Sequence, residues 1–322
     1  MSKKKVKSNP VRVTLGRTGL SVSPICYGSW QLSPRFWGKV SQQASIKAMR
    51  LAFDLGVNFY DTAEAYGDGL SETVMGKALK PLPREEVVVA TKVFMRTDLP
   101  LDKRYGDLSH DNILRACDGS LKRLGMDYID LYQCHSFDPT ADPSEVTHAM
   151  ETLKRKGKIR AYGVSNWNPE QMRMGHVFGD FGSCQPPYSL INRGIETDVL
   201  PYCRANNIGV LVYSPLHKGL LTGKYKGTET FKDLRKDRAD YTGERFKLIC
   251  DRVADVGKIA KRNKLTTTQM VLATTLMHPA ITCAITGIKT PDQIEEAAGA
   301  MGKTISRDDM MEVRRLLSLP KE

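Results

Sequence analysis

Short, nearly continuous apolar runs alternate along this chain with longer segments in which apolar residues return every third or fourth position. The runs PICYGS (24–29), VNFYDT (57–62), VVVATKV (87–93), IDLYQCH (129–135), IRAYGVS (159–165), SCQPPYS (183–189), GVLVYS (209–214) and ITCAIT (281–286) have the length and the β-branched or aromatic content of strands. Between them, SQQASIKAMRLAFDLG (41–56), SHDNILRACDGSLKRLG (109–125) and DPSEVTHAMETLKRKG (142–157) open on polar residues, keep helical spacing and stop at glycine, as amphipathic helices do. Eight such repeats predict an α/β fold in which parallel strands close into a (β/α)8 barrel.

Ahead of the first run, VRVTLGRTGLSVSP (11–24) carries two short alternating stretches about GRTG, so a β-hairpin is expected there, plugging one end of the barrel. The segment 220–246 after the seventh run is rich in glycine and charge, and a loop of that length is expected to be functional or mobile. An open, doubly wound sheet is the competing architecture. It calls for GxGxxG directly after an early strand, and neither LGRTGL nor ICYGSW has that spacing. With no proline- or serine-rich linker to divide it, the chain is expected to form one barrel domain over 11–322 behind a basic, disordered tail at 1–10.

Composition narrows the class. Of 322 residues, 41% are hydrophobic and 26% charged, which supplies a core and carries no mark of wholesale disorder. No apolar run approaches the roughly 18 residues of a membrane span. The lysines of MSKKKVKSNP precede no apolar stretch, so no secretory leader is expected, and the cytoplasm is the expected compartment. The seven cysteines, Cys26, Cys117, Cys134, Cys184, Cys203, Cys250 and Cys283, show neither CxxC pairs nor metal-ligand spacing and fit reduced thiols without a metal site. Lysine and arginine number 48 against 36 acidic residues, a formal charge of +12 to which Lys3, Lys4, Lys5 and Lys7 contribute. No aromatic-interleaved basic patch accompanies that charge, so the expected partner is an anionic small molecule such as a phosphorylated cofactor, not nucleic acid. Nothing in the sequence indicates an oligomer.

Ligands of open sheets and barrels alike gather at the carboxyl ends of the strands. There the second run ends at Asp61 with Tyr66 just beyond, the third ends near Lys92 and the fourth at His135. Each has an ordinary structural reading: an aspartate capping a turn, a tyrosine packed on the rim, a satisfied histidine. Lys92 is the hardest to read that way, because an ammonium inside VVVATKV must be paired or carry a shifted pKa. Delivered to one face by three successive strands, the four read together as a reaction centre.

These residues carry a resemblance. DTAEAYG, ATK and LYQCH are similar to motifs of the aldo-keto reductases, and LGRTGLSVSPICYGSW, YGVSNW and VYSPL follow in the family's order, from about Leu15 to Ala300. The resemblance implies a (β/α)8 barrel, NADPH-dependent reduction of aldehydes and ketones, and a catalytic tetrad of Asp61, Tyr66, Lys92 and His135. Carbonyl reduction needs a hydride at carbon and a proton at oxygen. Tyr66 is the natural proton donor, Lys92 kept charged by Asp61 is expected to lower its pKa, and His135 is expected to donate a hydrogen bond to the carbonyl oxygen. Some members resemble instead the β-subunits of potassium channels, which bind NADPH and sense redox state. An NADP-binding regulatory subunit is therefore the alternative, and a complete tetrad argues against it.

The same resemblance implies a cofactor site. Ser165, Asn166 and Gln185 are expected to hold the nicotinamide carboxamide, Tyr213 to stack on its ring, and Ser214 and Leu216 to wall the pyrophosphate, with Gly219 and Leu220 opening the loop above it. In TGIKTPDQIEEA (286–297), which includes Gly287, Lys289 is expected at the 2′-phosphate of NADPH, with Gln293 and Glu296 facing the adenosine. Ala297 stands where the family often has asparagine, and lysine at 289 where arginine is commoner, which leaves NADH as a second cofactor. Trp30, Phe36, Trp37, Phe94 and Trp167 are expected to wall the substrate, and His217 to begin a loop folding over the cofactor. No cluster reads as a recognition site for a sugar, steroid or phosphate, so the expected substrate is an aldehyde or ketone without further definition.

Overall fold

A computed structural model of the chain describes residues 10–319. Strands β1 (Val13–Thr14) and β2 (Ser21–Val22) pair antiparallel as a hairpin. Eight parallel strands then close a barrel: β3 (Ile25–Gly28), β4 (Phe59–Asp61), β5 (Val88–Val93), β6 (Ile129–Cys134), β7 (Ile159–Ser165), β8 (Ser183–Gln185), β9 (Gly209–Tyr213) and β10 (Cys283–Gly287). Closure comes from β10, which pairs β9 on one side and β3 on the other. The run 183–189 yields only three residues of strand, because Pro186 and Pro187 cannot donate to a ladder. The expected disorder at 1–10 falls, except for Pro10, outside the described residues.

Alternation along the strands sorts side chains to two sides. Phe59, Val88, Ala90, Leu131, Ala161, Leu211 and Cys283 cluster in one apolar group with Leu15, Leu20 and Val22 of the hairpin, so the hairpin forms the floor of the barrel interior. Its turn is pressed against the start of β9: the Arg17 N–H donates to Asn207 O at 3.0 Å, and a Cβ on Gly16, at φ +50°, would stand 2.2 Å from the Gly209 nitrogen. The other alternates, among them Tyr60, Val89, Val93, Tyr132 and Val212, pack with Met49 of the helix Gln42–Asp54, Ile113 of His110–Leu124 and Met150 of Pro143–Arg155. Each such buried side chain contributes about 1.5–3 kcal/mol.

With the floor sealed, the mouth at the carboxyl ends is where polar side chains gather. The segment 220–246 is less irregular than expected: 3-10 turns at His217–Thr222 and Ala239–Tyr241 bracket it, and the helix Gly243–Arg262 begins within it. Phe231 anchors it by packing edge-on to Tyr225, Tyr241 and Phe246. Among the described residues no helix is long and apolar enough to cross a membrane.

Candidate active site

Lys92 continues the inward alternation of Val88 and Ala90 on β5, so its side chain enters the barrel interior and is wholly buried. An ammonium survives there only if its hydrogens are all used. Nζ donates to Asp61 Oδ1 at 2.7 Å, to Thr62 O at 2.8 Å and to the Tyr66 hydroxyl oxygen at 3.4 Å. The second oxygen of Asp61 accepts from Gln185 Nε2 at 2.9 Å. Tyr66 can reach back over the strand ends because the chain reverses after β4, with Gly67, Asp68 and Gly69 all in the left-handed region. Its ring stands edge-on to His135, centroids 5.7 Å apart and planes at 75°. The structure thus brings Asp61, Tyr66, Lys92 and His135 together.

Electrostatics assigns them different states. Burial opposes the charge of Lys92, but Asp61 and then Tyr66 outweigh it, so the ammonium titrates above the usual lysine range. For Tyr66 the balance reverses: burial raises the phenol, Lys92 pulls it back only in part, and the pKa stays above its ordinary value. The expected lowering by the lysine is present, but the cost of burying a phenolate exceeds it. Burial, with repulsion from Lys92 added, brings His135 down to about 3, so its ring is neutral near pH 7 and keeps one N–H to donate. Both rings are surrounded by protein yet keep an edge open to a cavity.

That cavity, of about 520 Å³, extends over the strand ends. Near Tyr66 its wall is a hydrogen-bonded relay: the Tyr213 hydroxyl donates to Asn166 Oδ1 at 2.9 Å, Asn166 Nδ2 to the His135 carbonyl at 2.9 Å, and Ser165 Oγ to the Gln185 carbonyl at 2.8 Å. Asn166 and Ser214 hold φ of +61° and +59°, strained values for residues with a side chain that tend to cluster at functional sites. Ser214, Leu216 and Gly219 continue the wall, whereas Leu220 turns into the core. Gly287 is there for lack of a side chain: a Cβ would lie 1.8 Å from Gln31 Nε2. Gln31 Oε1 and Thr268 Oγ1, on two residues that line the cavity, are buried without a hydrogen-bond partner.

At the far end Lys224, Arg235 and Lys289 stand together beside Gln293, Glu296 and Ala297. Arg235 is forked onto Asp233, Nε to Oδ1 at 2.8 Å and an Nη to Oδ2 at 2.6 Å. Burial lowers the Lys289 pKa, and repulsion from Arg235 and Lys224 adds to it against the pull of Asp233. The Lys289 N–H donates to Gln293 Oε1 at 2.7 Å. Trp37, expected beside the substrate, belongs to this end: Lys289 Nζ lies 4.7 Å and the Arg235 guanidinium carbon 5.8 Å from its ring centre.

Trp30 and Phe36 do line the cavity, their rings 5.6 Å apart. Phe94 and Trp167 do not line it. The left-handed turn at Asn166 sends Trp167 into the core, edge-on to Phe137 at 5.1 Å and against Phe181. Phe94 leaves β5 and covers Gly106, alongside the bridge between Met95 and Gly106. Conversely, Gln31, Lys218, Lys224, Arg235 and Thr268 line the cavity without having been singled out in the sequence. The charge of segment 220–246 was a signal for Lys224 and Arg235; nothing local marks Gln31 or Thr268.

A barrel with this constellation at its mouth is of a known class. The sequence model of the Aldo/keto reductase family matches residues 24–318, and the chain belongs to that family. An NADH-specific methylglyoxal reductase of Escherichia coli (strain K12) is 33% identical over 95% of this chain and 98% of its own length. A putative voltage-gated potassium channel subunit beta of Schizosaccharomyces pombe is 35% identical over 92% of this chain and 89% of its own. The solved structure of a glycerol dehydrogenase from Gluconobacter oxydans superposes with a TM-score of 0.86 at 30% identity, covering 92% of each chain.

Proposed function

We propose that the protein reduces the carbonyl group of small aldehydes or ketones to an alcohol, with NADPH as reductant and Tyr66 as proton donor. The observation that carries this reading is the Tyr66 hydroxyl, bonded to a buried, Asp61-held Lys92 and edge-on to a neutral His135 at an open cavity. The residues present fit a phosphorylated dinucleotide. Unpartnered oxygens at Gln31 and Thr268 await donors, and three cations gather at the end away from Tyr66. A bound nicotinamide supplies the hydride.

The chain's own groups do the rest. Because Tyr66 accepts from Lys92, its O–H is free to point at a carbonyl oxygen. As that proton leaves, phenolate forms beside the ammonium, and there Lys92 contributes most: stabilisation that grows with the transition state's charge is what accelerates a reaction. Neutral His135 donates its N–H to the same oxygen, which orients the substrate. Asp61 keeps Lys92 charged and, through Gln185, ties β4 to β8. Ser165, Asn166 and Gln185 are our assignments for the carboxamide and Tyr213 for the ring face, with Ser214, Leu216, Gly219 and Gly287 along the phosphates. Lys289 with Arg235 supports NADPH over NADH, since the 2′-phosphate adds negative charge at that end; Gln293 and Glu296 are assigned to adenosine. A protein that only bound cofactor, as a channel subunit would, has no use for an imidazole at 135.

Purified protein mixed with NADPH and a panel of small aldehydes should consume the cofactor, followed as loss of its absorbance. Binding without consumption across the panel would contradict the reading and favour a regulatory subunit.

A further inference from the structure

Beside the main cavity lies a second, of about 290 Å³. Trp30, Tyr213, Ser214 and Lys218 line both, so the two adjoin where Tyr213 reaches Asn166 and Asn166 reaches the His135 carbonyl. Trp30, Pro187 and Tyr188 give this second space apolar walls, and Lys218 and Arg238 give it two cations. Lys218 is half-buried and held at φ +52°, a conformation that costs a lysine energy to keep. Arg238 donates Nε to the Leu234 carbonyl at 3.0 Å. Among the described residues neither cation is within ion-pairing distance of a carboxylate. The neighbouring carboxylate of Asp240 is already engaged, by His217 Nε2 at 2.9 Å and Arg245 Nε at 2.7 Å. On its other side the His217 ring places Nδ1 3.2 Å from the Ser189 hydroxyl. Burial lowers the pKa of Lys218, Arg238 lowers it further, and Asp240 opposes both.

Arg238 is exposed and Lys218 half-buried, and both line this cavity without an ion pair, so both can meet an anion that enters it. We propose that this second cavity seats a carboxylate or phosphate carried by the carbonyl substrate, so that the preferred substrates are aldehydes or ketones with an acidic tail. The proposal rests on the carbonyl-reductase reading. The cations at Lys224, Arg235 and Lys289 account for cofactor phosphate, which leaves Arg238 and Lys218 for the substrate. Trp30 and Pro187 take the carbon chain between the reacting carbonyl and the anion.

Succinic semialdehyde and butyraldehyde have equal chains and differ by one carboxylate, so they isolate the effect. Arg238→Gln should raise KM for the acidic aldehyde about 10- to 100-fold, the scale of one charge-assisted hydrogen bond, and leave kcat/KM for butyraldehyde unchanged. Arg238→Lys should recover much of the loss. Equal effects on both aldehydes, or none on either, overturn the proposal. Calorimetry on the protein with NADP+ gives a readout independent of turnover: succinate and inorganic phosphate should bind, more weakly in Arg238→Gln. If they bind and no aldehyde is reduced, the carbonyl reading fails while the anion site stands. If neither binds, the site is refuted. Phosphate that binds without competing against succinic semialdehyde would assign the cavity to a free anion and overturn the substrate class.

Discussion

The two ends of the main cavity differ in how complete they are. Around Lys92 the charged groups are matched within the chain: three acceptors face the ammonium and both oxygens of Asp61 are used, although the amide of Gln133, paired with Lys92 across the strands, is buried without a partner. At the opposite end Lys289 and Lys224 repel each other, and along the cavity wall Gln31 and Thr268 keep oxygens without partners. The contrast follows from what each end must do. Groups that act on a transition state gain by being fixed beforehand, so no reorganisation is needed at the moment of reaction. Groups that hold a polyanion gain by being incomplete until it arrives, because the relief of their repulsion becomes binding energy.

The contrast can be broken most sharply at Tyr66. Tyr66→Phe removes the proton donor and should lower kcat by about 10²- to 10⁴-fold, while NADPH affinity, read by fluorescence titration, stays nearly constant. Wild-type turnover would reject Tyr66 as the acid. Substitution at the other end should do the reverse. Lys289→Ala or Arg235→Ala should weaken NADPH by about 10- to 100-fold, with NADH and kcat little changed. Equal weakening of both cofactors would withdraw the 2′-phosphate role.

A smaller effect sharpens the self-contained character of the tetrad end. Glu64, three residues past Asp61 and 2% exposed, titrates at about 7, raised by burial and then by Glu72 against the Phe94 N–H, Arg123 and Arg115. An unfolded glutamate loses its proton near 4.5, so between that pH and about 7 the native state binds more protons than the unfolded one. Stability should therefore fall as pH rises through this window, by up to about 3 kcal/mol above it. Glu64→Gln keeps an oxygen for the Phe94 N–H and should flatten the dependence, gaining more stability in denaturant titrations near pH 8 than near pH 5. An unchanged slope would mean that Glu64 is not the group responsible.

Much of this was legible in the sequence, for physical reasons. Strand runs with β-branched content and helices with capped, periodic faces are local patterns, and eight strand runs alternating with amphipathic segments leave little but a barrel. Asp61 ends β4 as expected, although the strand starts at Phe59 and not at 57. What failed depended on side-chain direction and depth. Trp167 follows a left-handed Asn166 and is turned into the core, and Phe94 leaves the strand to cover Gly106, which no local pattern records. Trp37 is adjacent to Trp30, their ring centres 5.4 Å apart, yet lies between Lys289 and Arg235 because the segment carrying Arg235 folds back over the mouth. The net direction of the Tyr66 pKa was missed because it is set by burial, and burial belongs to the assembled barrel.

The central claim is that Lys92 is the charge that makes a buried phenol usable as an acid. The pH dependence of kcat/KM in Lys92→Met, set against wild type, tests it most directly. Since the variant leaves Asp61 buried without its partner, at a cost of about 3–5 kcal/mol, Lys92→Met with Asp61→Asn is assayed alongside as a folded control. We predict a rate about 10²- to 10⁴-fold lower near neutral pH, retained NADPH affinity, and an alkaline limb displaced to higher pH as the phenol loses its ammonium. A wild-type rate with an unmoved alkaline limb would contradict the account.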